Sequence, residues 1–356
     1  MDIAVKATGV AVPHGEAMSP SDDLWSMLLG GQSQLRAHAH LGLDSPACTL
    51  AEGFAAPRAT ALAHYALRQV IGELPQKRAA LVIATTKGEL EPWLAGHGTD
   101  GLNAIAQQLV DMGLKLPSLC RVISNACVSG ASALIEGLEL VADGDADAAL
   151  VLAIDALTPF VAQGFHSLQG DSPTGTRPFD ATRDGLSLGE SAAAVVLARG
   201  SGPRIHGYGA SNDANHISGP DREGGGLALA IERALAGVDR SRIVAICAHG
   251  TGTVYNDAME ARAFHRVFGS KPPPVFGIKG SIGHTLGAAG LLEVIVSLRV
   301  ATEGVIPPTV GYQRGEVEHP LDVVHGKPRE VKPGLVLTTN SGFGGMNTAV
   351  VVGGGP

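Results

Sequence analysis

A lone cysteine stands where two sequence patterns meet in the stretch "SNACVSGASALIEG", Ser124 to Gly137. The residues before it are apolar and β-rich, whereas those after Ser129 repeat small and apolar types at helical spacing. This pattern predicts a turn that puts Cys127 at a helix start. Unpaired backbone N–H groups and the helix dipole favour a thiolate there, so we expect the pKa of Cys127 to be lowered. The alternative is a cysteine that only packs in the core.

A histidine follows the predicted strand Ile243 to Ala248 in the segment "CAHGTGTVYNDAMEA". A side chain at a strand end projects into a cleft, which is where His249 would meet a substrate. The neighbouring glycines let a substrate approach the backbone, and Thr251 and Thr253 offer hydroxyl groups for hydrogen bonds. The alternative is a capped loop with a hydrogen-bonded structural histidine.

A lysine and a second histidine bracket the turn in "FGIKGSIGHTLGAAG". Lys279 follows an apolar strand, and burying its charge without a partner would be costly. We therefore expect an ion pair, with Glu260 as its partner. The alternative is a surface lysine whose ammonium group reaches the solvent.

A glycine-rich turn around Phe343 joins two predicted strands in "TTNSGFGGMNTAVVV". Such turns can aim backbone N–H groups at an oxyanion, although any hairpin can contain glycine. The combination of a helix-start cysteine, two glycine-flanked histidines and a lysine favours Cys127 as a nucleophile over Cys127 as a core residue.

The elements that must position these residues alternate between strand and helix, as in layered α/β folds. Apolar runs predict buried strands over residues 80–85, 121–124, 148–154, 192–197, 243–248, 274–278, 335–339 and 348–352. Helical patterns cover residues 22–29, 58–74, 130–141, 227–236, 257–267 and 288–300, and loops are predicted at 170–175 and 218–226.

A weak internal repeat relates the two halves of the chain. "GASALIE" from Gly130 and "GAAGLLE" from Gly287 are identical at four of seven positions, and each follows a strand and a small-residue turn. Duplicated strand–turn–helix units would bring both turns to one central cleft. The repeat therefore predicts that Cys127 lies near His284.

Composition narrows the classes of function. The net charge is −8 without a basic block, which argues against nucleic acid and anionic membrane surfaces as partners. Cys48, Cys120 and Cys247 form no metal-ligand spacing with Cys127, and the amino-terminal residues lack a secretory pattern, so we expect a cytoplasmic protein without metal. We assign no role to these three cysteines. No apolar run approaches the roughly 20 residues that cross a bilayer.

These segments together resemble the β-ketoacyl-[acyl carrier protein] synthase family of condensing enzymes. "NACVSG", "AHGTGTVYND" and "KGSIGHTLGAAG" resemble the family's nucleophile and histidine motifs in the family's order, and "RPFDATRDGLSLGESAAAVVL" resembles the segment before its midpoint. The resemblance implies a thiolase-like α/β fold of two duplicated halves in five layers, αβαβα. It places the nucleophile in residues 1–201 and both histidines in residues 202–356.

The resemblance also implies a role for each candidate residue. Cys127 would accept an acyl group from a thioester, and His249 and His284 would then stabilise the enolate formed when a malonyl thioester loses carbon dioxide. Phe343 would be an acyl gate and, with the N–H of Cys127, an oxyanion donor. The remaining assignments are Lys279 and Glu260 as ionic support, Asp257 as a supporting acid, and Thr251 and Thr253 as pantetheine contacts.

The implied enzyme has no tightly bound cofactor, because phosphopantetheine arrives on acyl carrier protein. The chain is shorter than family members between Trp93 and Cys127 and between Leu157 and Arg177, regions that contribute to the acyl pocket and the dimer interface. Ser191 and Met346 replace a usual glycine and threonine. Acyl length, pathway, and the choice between a homodimer and a heterodimer therefore stay open.

Three functions compete on this sequence. An elongating synthase needs the cysteine and both histidines, which are present. A chain-length partner subunit typically loses the cysteine. A thiolase acting on acyl-CoA needs a second cysteine near the carboxy-terminal turn, and "NSGFGGMN" has none. The sequence thus favours a decarboxylating condensing enzyme.

Overall fold

A computed structural model describes residues 3–15, 17–50, 57–75, 78–97, 101–316 and 318–355. Its strands are β1 (Ile3–His14), β2 (Ala17–Ser19), β3 (Arg36–His38), β4 (Leu43–Ala47), β5 (Ala79–Ala84), β6 (Leu119–Ile123), β7 (Ala148–Asp155), β8 (Ser191–Arg199), β9 (Arg204–Asn212), β10 (Ile243–Cys247), β11 (Val275–Phe276), β12 (Val305–Ile306), β13 (Arg329–Glu330), β14 (Leu335–Gly342) and β15 (Met346–Gly353). Its helices are α1 (Ser21–Leu29), α2 (Arg58–Arg68), α3 (Leu90–Leu94), α4 (Gly101–Asp111), α5 (Ser129–Ala142), α6 (Pro159–Ser167), α7 (Gly225–Ala234), α8 (Val254–Phe268), α9 (Lys279–Ile282) and α10 (Ala289–Glu303).

The main strands form two five-stranded sheets of the same topology, which the pairing of β1 with β9 joins into one hydrogen-bonded sheet. One has the order β1-β8-β7-β5-β6 and the other β9-β15-β14-β10-β11, with β1 and β9 meeting through the Ala4–Arg204 pair. In each sheet the first strand of its half lies at the inner edge, and the three strands farthest from it run parallel. The predicted duplication is therefore present in the strand order itself.

Helices cover both faces of both sheets and complete five layers. Successive residues of β5 point to opposite faces, so Val82 joins the central core while Leu81 and Ile83 join the outer core beneath α2 and α4. Helices α5 and α10 fill the central layer, and α7 and α8 cover the outer face of the second sheet. Strands such as "AALVLAID" of β7 are buried on both faces, which explains their unbroken apolar runs.

The structural repeat is offset by three residues from the repeat predicted by sequence. A 3₁₀ turn at Ala126–Val128 precedes α5, and a second at Leu286–Ala288 precedes α10. Both turns begin with a left-handed residue, at φ 48° for Ala126 and 53° for Leu286. The structural partner of Gly130 is consequently Gly290 rather than Gly287. The small residues shared by both helix starts allowed the incorrect alignment.

Glycine permits the two central helices to touch at their amino-terminal ends. A Cβ atom on Gly130 would lie 2.8 Å from the carbonyl oxygen of Gly287, and one on Gly290 would lie 2.8 Å from the amide nitrogen of Ala131. This reciprocal contact brings the turn that carries Cys127 against the turn that follows His284.

Several predicted boundaries were wrong. The helix expected over residues 58–74 ends at Arg68, and α7 begins at Gly225 inside a predicted loop. Strands β1 and β9 and helices α4 and α6 were missed. Tertiary packing stabilises β9 despite its polar and glycine content, because β15 pairs along most of its length. The division at residues 201 and 202 falls between β8 and β9 and stays a prediction.

Candidate active site

Cys127 lies in the 3₁₀ turn that opens α5, as the sequence predicted. The side chain of Ser129 braces this turn, because its Oγ accepts from the N–H of Asn125 at 2.8 Å and donates to the carbonyl oxygen of Ala126 at 2.6 Å. The thiol is only 8% exposed and lines a cavity of about 610 Å³. A strained turn thus presents the sulfur at the base of an open pocket.

The expected lowering of the Cys127 pKa was wrong. Burial raises the pKa of Cys127 to about 11, although the positive charges of Lys279 and Lys87 and the backbone N–H of Phe343 act in the opposite direction. Removal of water from the sulfur therefore outweighs the favourable groups around it. The cysteine is a neutral thiol at rest, and thiolate formation depends on donors that act when substrate arrives.

His284 is the side chain that contacts the sulfur. Its Nε2 lies 3.0 Å from Sγ of Cys127, while its Nδ1 accepts from the N–H of Leu286 at 3.3 Å. A neutral imidazole with an acceptor at Nδ1 carries its proton on Nε2. Burial, reinforced by Lys279 and Lys87, holds the pKa of His284 well below its usual range. His284 therefore presents a neutral N–H donor to the sulfur.

His249 has the same protonation pattern from a different set of partners. Lys279 Nζ lies 3.2 Å from its Nδ1, and the side-chain amide of Asn340 lies 3.3 Å from the same nitrogen. Both neighbours are donors, so the proton of neutral His249 is on Nε2. Burial lowers the pKa of His249 well below its usual range, and Lys279 and His284 add to the effect. The two imidazole rings lie 5.0 Å apart between centroids and line the cavity with Cys127.

Lys279 forms a buried ion pair as predicted, but its partner is Glu293 and not Glu260. Lys279 Nζ lies 2.5 Å from Oε1 of Glu293, and both side chains are 1% exposed. The second oxygen of Glu293 accepts from Asn340 at 2.5 Å. Glu293 was missed because it lies within the apolar helix α10. The signal was present, since a single carboxylate in "AGLLEVIVSL" demands a buried cation.

Glu260 supports the site through the backbone of the histidine loop. Its two oxygens accept from the N–H groups of His249 at 2.8 Å and Gly250 at 2.7 Å, and Thr339 Oγ1 donates to it at 3.0 Å. Burial, with a contribution from the neighbouring Asp257, raises the pKa of Glu260 to about 7. Glu260 thus fixes the position of His249.

Asp257 holds the next part of the same loop. It accepts from the N–H of Gly252 at 3.2 Å and from the N–H of Phe179 at 2.7 Å, which ties the loop to the segment before β8. Arg183 lies 3.9 Å away as a buried counter-charge. Asp257 and Glu260 are therefore supporting residues, and neither lines the cavity.

The other predicted site residues surround the cavity mouth. Thr251 and Thr253 line it with their hydroxyl oxygens 2.9 Å apart. Phe343 also lines it, is 40% exposed, and stacks on Phe165 of α6 with ring centroids 6.0 Å apart. The backbone N–H of Phe343 acts to lower the pKa of Cys127, so it favours negative charge on the sulfur. Phe165 was not predicted, because nothing in the sequence indicates that α6 contacts the glycine-rich turn.

The geometry supports two chemical steps at one sulfur. Nε2–H of His284 contacts the sulfur and the backbone N–H of Phe343 favours negative charge on it, so both can stabilise a thiolate or an oxyanion formed beside it. Two neutral imidazoles next to that sulfur can stabilise an enolate oxygen without a positive charge. The site thus has a nucleophile and donors for two kinds of developing negative charge.

Family models match most of the chain. The β-ketoacyl synthase amino-terminal domain matches residues 70–202, and the β-ketoacyl synthase carboxy-terminal domain matches residues 203–313. The chain belongs to the β-ketoacyl synthase family.

Individual relatives agree with this membership. The chain is 37% identical over 251 residues to the tetracenomycin polyketide synthase ketoacyl synthase alpha subunit of Streptomyces glaucescens, a match covering 65% of this chain and 59% of that protein. The match thus spans less than two thirds of the relative's length.

Solved structures match over nearly the full length. A ketosynthase in complex with its chain length factor, from Xenorhabdus doucetiae, gives a TM-score of 0.85 at 27% identity, covering 99% of this chain and 98% of that one. A β-ketoacyl synthase from Burkholderia phymatum gives 0.84 at 25% identity, with each chain fully covered. The predicted thiolase-like fold is confirmed. No helix among the described residues is long and apolar enough to cross a membrane.

Proposed function

We propose that this protein catalyses a decarboxylative Claisen condensation between an acyl group on Cys127 and a malonyl group on acyl carrier protein. The observation that carries the proposal is the convergence of one thiol and two neutral imidazoles in one cavity, with Nε2 of His284 3.0 Å from the sulfur. The product is a β-ketoacyl thioester of fatty-acid, polyketide or polyene biosynthesis.

The first step transfers the acyl group. The sulfur of Cys127 attacks the thioester carbonyl carbon, and the N–H groups of Cys127 and Phe343 hold the resulting oxyanion. The carbon–sulfur bond to the pantetheine breaks, and the departing thiolate takes up the proton that the cysteine loses. Because the thiol is neutral at rest, this step needs the donors of His284 and Phe343 to favour the thiolate.

The second step breaks one carbon–carbon bond and forms another. The malonyl carboxylate leaves as carbon dioxide, and its bonding pair becomes the enolate, whose oxygen accepts from Nε2–H of His249 and His284. The enolate carbon attacks the Cys127 thioester. Collapse of the tetrahedral oxyanion releases Cys127 as a thiolate, which regains a proton from water.

The substrates and partners belong to the same proposal. Phosphopantetheine would enter on acyl carrier protein past Thr251 and Thr253, and no resident cofactor or metal is required. The working assembly would be a homodimer or a heterodimer with a ketosynthase-like subunit, in the cytoplasm. The main alternative is a chain-length-factor-like subunit. An intact set of Cys127, His249 and His284 favours the enzyme.

Acylation of the protein tests the proposal. Incubation with acyl thioesters of acyl carrier protein is expected to add one acyl mass to the wild-type chain, and Cys127→Ala is expected to abolish the addition without unfolding the protein. Cys120→Ala, which removes an exposed cysteine outside the cavity, is the matched control and should acylate normally. Acylation of the Cys127→Ala variant would refute the assignment.

A further inference from the structure

A second buried charge cluster lies beneath the active site, in the first half of the chain. Its centre is Asp155, the last residue of β7, which is 1% exposed. The carboxylate accepts from Oγ1 of Thr86 at 2.7 Å and from Oγ1 of Thr85 at 3.1 Å. The loop after β5 therefore wraps around this carboxylate. None of these residues was singled out by its sequence pattern.

Asp155 joins this loop to the turn that follows His284. Its Oδ2 accepts from the N–H of Gly287 at 2.7 Å, and a Cβ atom on Gly287 would lie 2.8 Å from the same oxygen. Residue 287 must therefore be glycine for the carboxylate to bind there. On the other side, the hydroxyl of Ser124, which precedes the turn of Cys127, donates to the carbonyl oxygen of Thr86 at 3.3 Å. The cluster thus contacts both active-site turns.

Lys87 gives the cluster a positive charge. Its Nζ lies 3.6 Å from Oδ1 of Asp155 and hydrogen-bonds to Oγ1 of Thr86, with 23% of the side chain exposed. The fold fixes the loop at this point, because a Cβ atom on the next residue, Gly88, would overlap the carbonyl oxygen of Gly101. The position of Lys87 is therefore fixed twice: its backbone by the packing of Gly88 against Gly101, and its ammonium group by Asp155 and Thr86.

We propose that Lys87 and Asp155 are positioning residues that set the reactivity of Cys127: Asp155 holds the turn after His284 in register with the loop after β5, and Lys87 supplies positive charge that favours the thiolate. The two charges act on the sulfur in opposite directions. Lys87 lowers the pKa of Cys127 and Asp155 raises it. Lys279 is the other cation that lowers it, while His249 and His284 are neutral.

This inference rests on the proposed role of Cys127 as the reactive thiol, but its test uses no acyl donor. The probe is iodoacetamide, whose rate of reaction follows the thiolate fraction. The rate at Cys127 is measured in the full-length protein from pH 7 to pH 10 by peptide mass spectrometry, because exposed Cys120 also reacts. A failure here therefore leaves the condensation test with acyl carrier protein unaffected.

Opposite effects of the two charge changes would support the proposal. Lys87→Met is expected to slow alkylation about threefold or more at pH 8, and Asp155→Asn to speed it, because the first removes a cation and the second an anion. Lys87→Arg should keep the wild-type profile, and Lys271→Met, an exposed control, should change nothing. Three results would overturn the proposal. The alkylation rate of Lys87→Met could match that of Lys271→Met, or Lys87→Arg could slow alkylation as much as Lys87→Met does. The third is a change in rate of the same sign for Lys87→Met and Asp155→Asn.

Discussion

Nε2 of His284 lies 3.0 Å from the sulfur of Cys127, although 157 positions separate the two residues in the chain. The contact exists because the two central helices begin side by side, each after a left-handed turn residue. The N–H of Leu286 fixes the tautomer of the ring, so His284 contributes a proton donor rather than a base. His284 consequently stabilises negative charge on the sulfur rather than removing its proton.

The role of His284 as a donor predicts a selective defect. His284→Ala is expected to slow decarboxylation of malonyl carrier protein by about 10²-fold or more, because one of two enolate donors is lost. Acylation of Cys127 should fall less, since the backbone N–H of Phe343 still favours the thiolate. Carbon dioxide release and acyl mass gain measure the two steps separately. Equal losses in both would contradict this division.

The buried pair of Glu293 and Lys279 predicts a large cost when one partner is removed. Glu293→Gln is expected to lower the free energy of unfolding by about 3 kcal/mol or more, because it leaves the ammonium group buried without an anion. Glu232→Gln breaks the exposed pair with Arg240 and should cost less than about 1 kcal/mol. Urea denaturation of both variants checks the contrast. Similar costs would show that burial does not govern the pair.

The contact between α5 and α10 predicts that residue 130 tolerates no side chain. Gly130→Ala is expected to destabilise the protein by about 2 kcal/mol or more, since the methyl group would displace backbone at Gly287 and Leu291. Gly164→Ala in α6 is the matched control, because nothing lies within 4 Å of its Cβ position. That change should stabilise the helix by up to about 1 kcal/mol. Thermal unfolding distinguishes them, and a neutral Gly130→Ala would disprove the close contact.

The raised pKa of Glu260 predicts a dependence of stability on pH. The carboxyl has a pKa of about 7 in the folded protein against 4.5 as its ordinary value, so the folded state binds its proton more tightly. This contribution is fully present below pH 4.5 and is lost as the pH rises through 7, by roughly 3 kcal/mol in all. The free-energy deficit of Glu260→Gln relative to wild type should therefore shrink between pH 5 and pH 8.

Chemical denaturation at the two pH values measures this deficit. Glu223→Gln, which changes an exposed carboxylate, should show the same difference from wild type at both. A deficit for Glu260→Gln that does not change with pH would mean that Glu260 is ionised throughout.

Strands that are buried on both faces could be predicted from the sequence, because such strands consist almost entirely of apolar residues. Strands β5, β7 and β8 are buried on both faces and consist of unbroken apolar runs, so their positions followed from composition. Strand β9 was missed because two glycines, Gly207 and Gly209, and several polar residues interrupt its apolar pattern. These glycines are required by α7, whose carbonyl oxygens would lie 2.0 and 2.2 Å from their Cβ atoms. Because this need for glycine is set by the packing of α7, it produces no periodic pattern within the β9 sequence itself.

The active site was predictable by residue type but not by pairing. Glycine-flanked motifs located Cys127, His249 and His284, and the fold brings all three into one cavity. The partner of Lys279 was wrong because Glu260 and Glu293 are both buried carboxylates, and only the path of α10 decides between them. The pKa of Cys127 was wrong because a helix start is visible in sequence, whereas the loss of water around the sulfur depends on the packed pocket.

The matching strand orders of the two sheets make Gly287 the structural counterpart of Cys127, since each is the second residue of its 3₁₀ turn. One copy of the turn carries a sulfur atom, and the other carries only a hydrogen, because the carboxylate of Asp155 occupies the space where a side chain would begin. A cysteine at residue 287 would therefore displace the carboxylate that joins this turn to the loop after β5. The turn with the sulfur carries the reactive group, and the turn without it carries the anchor.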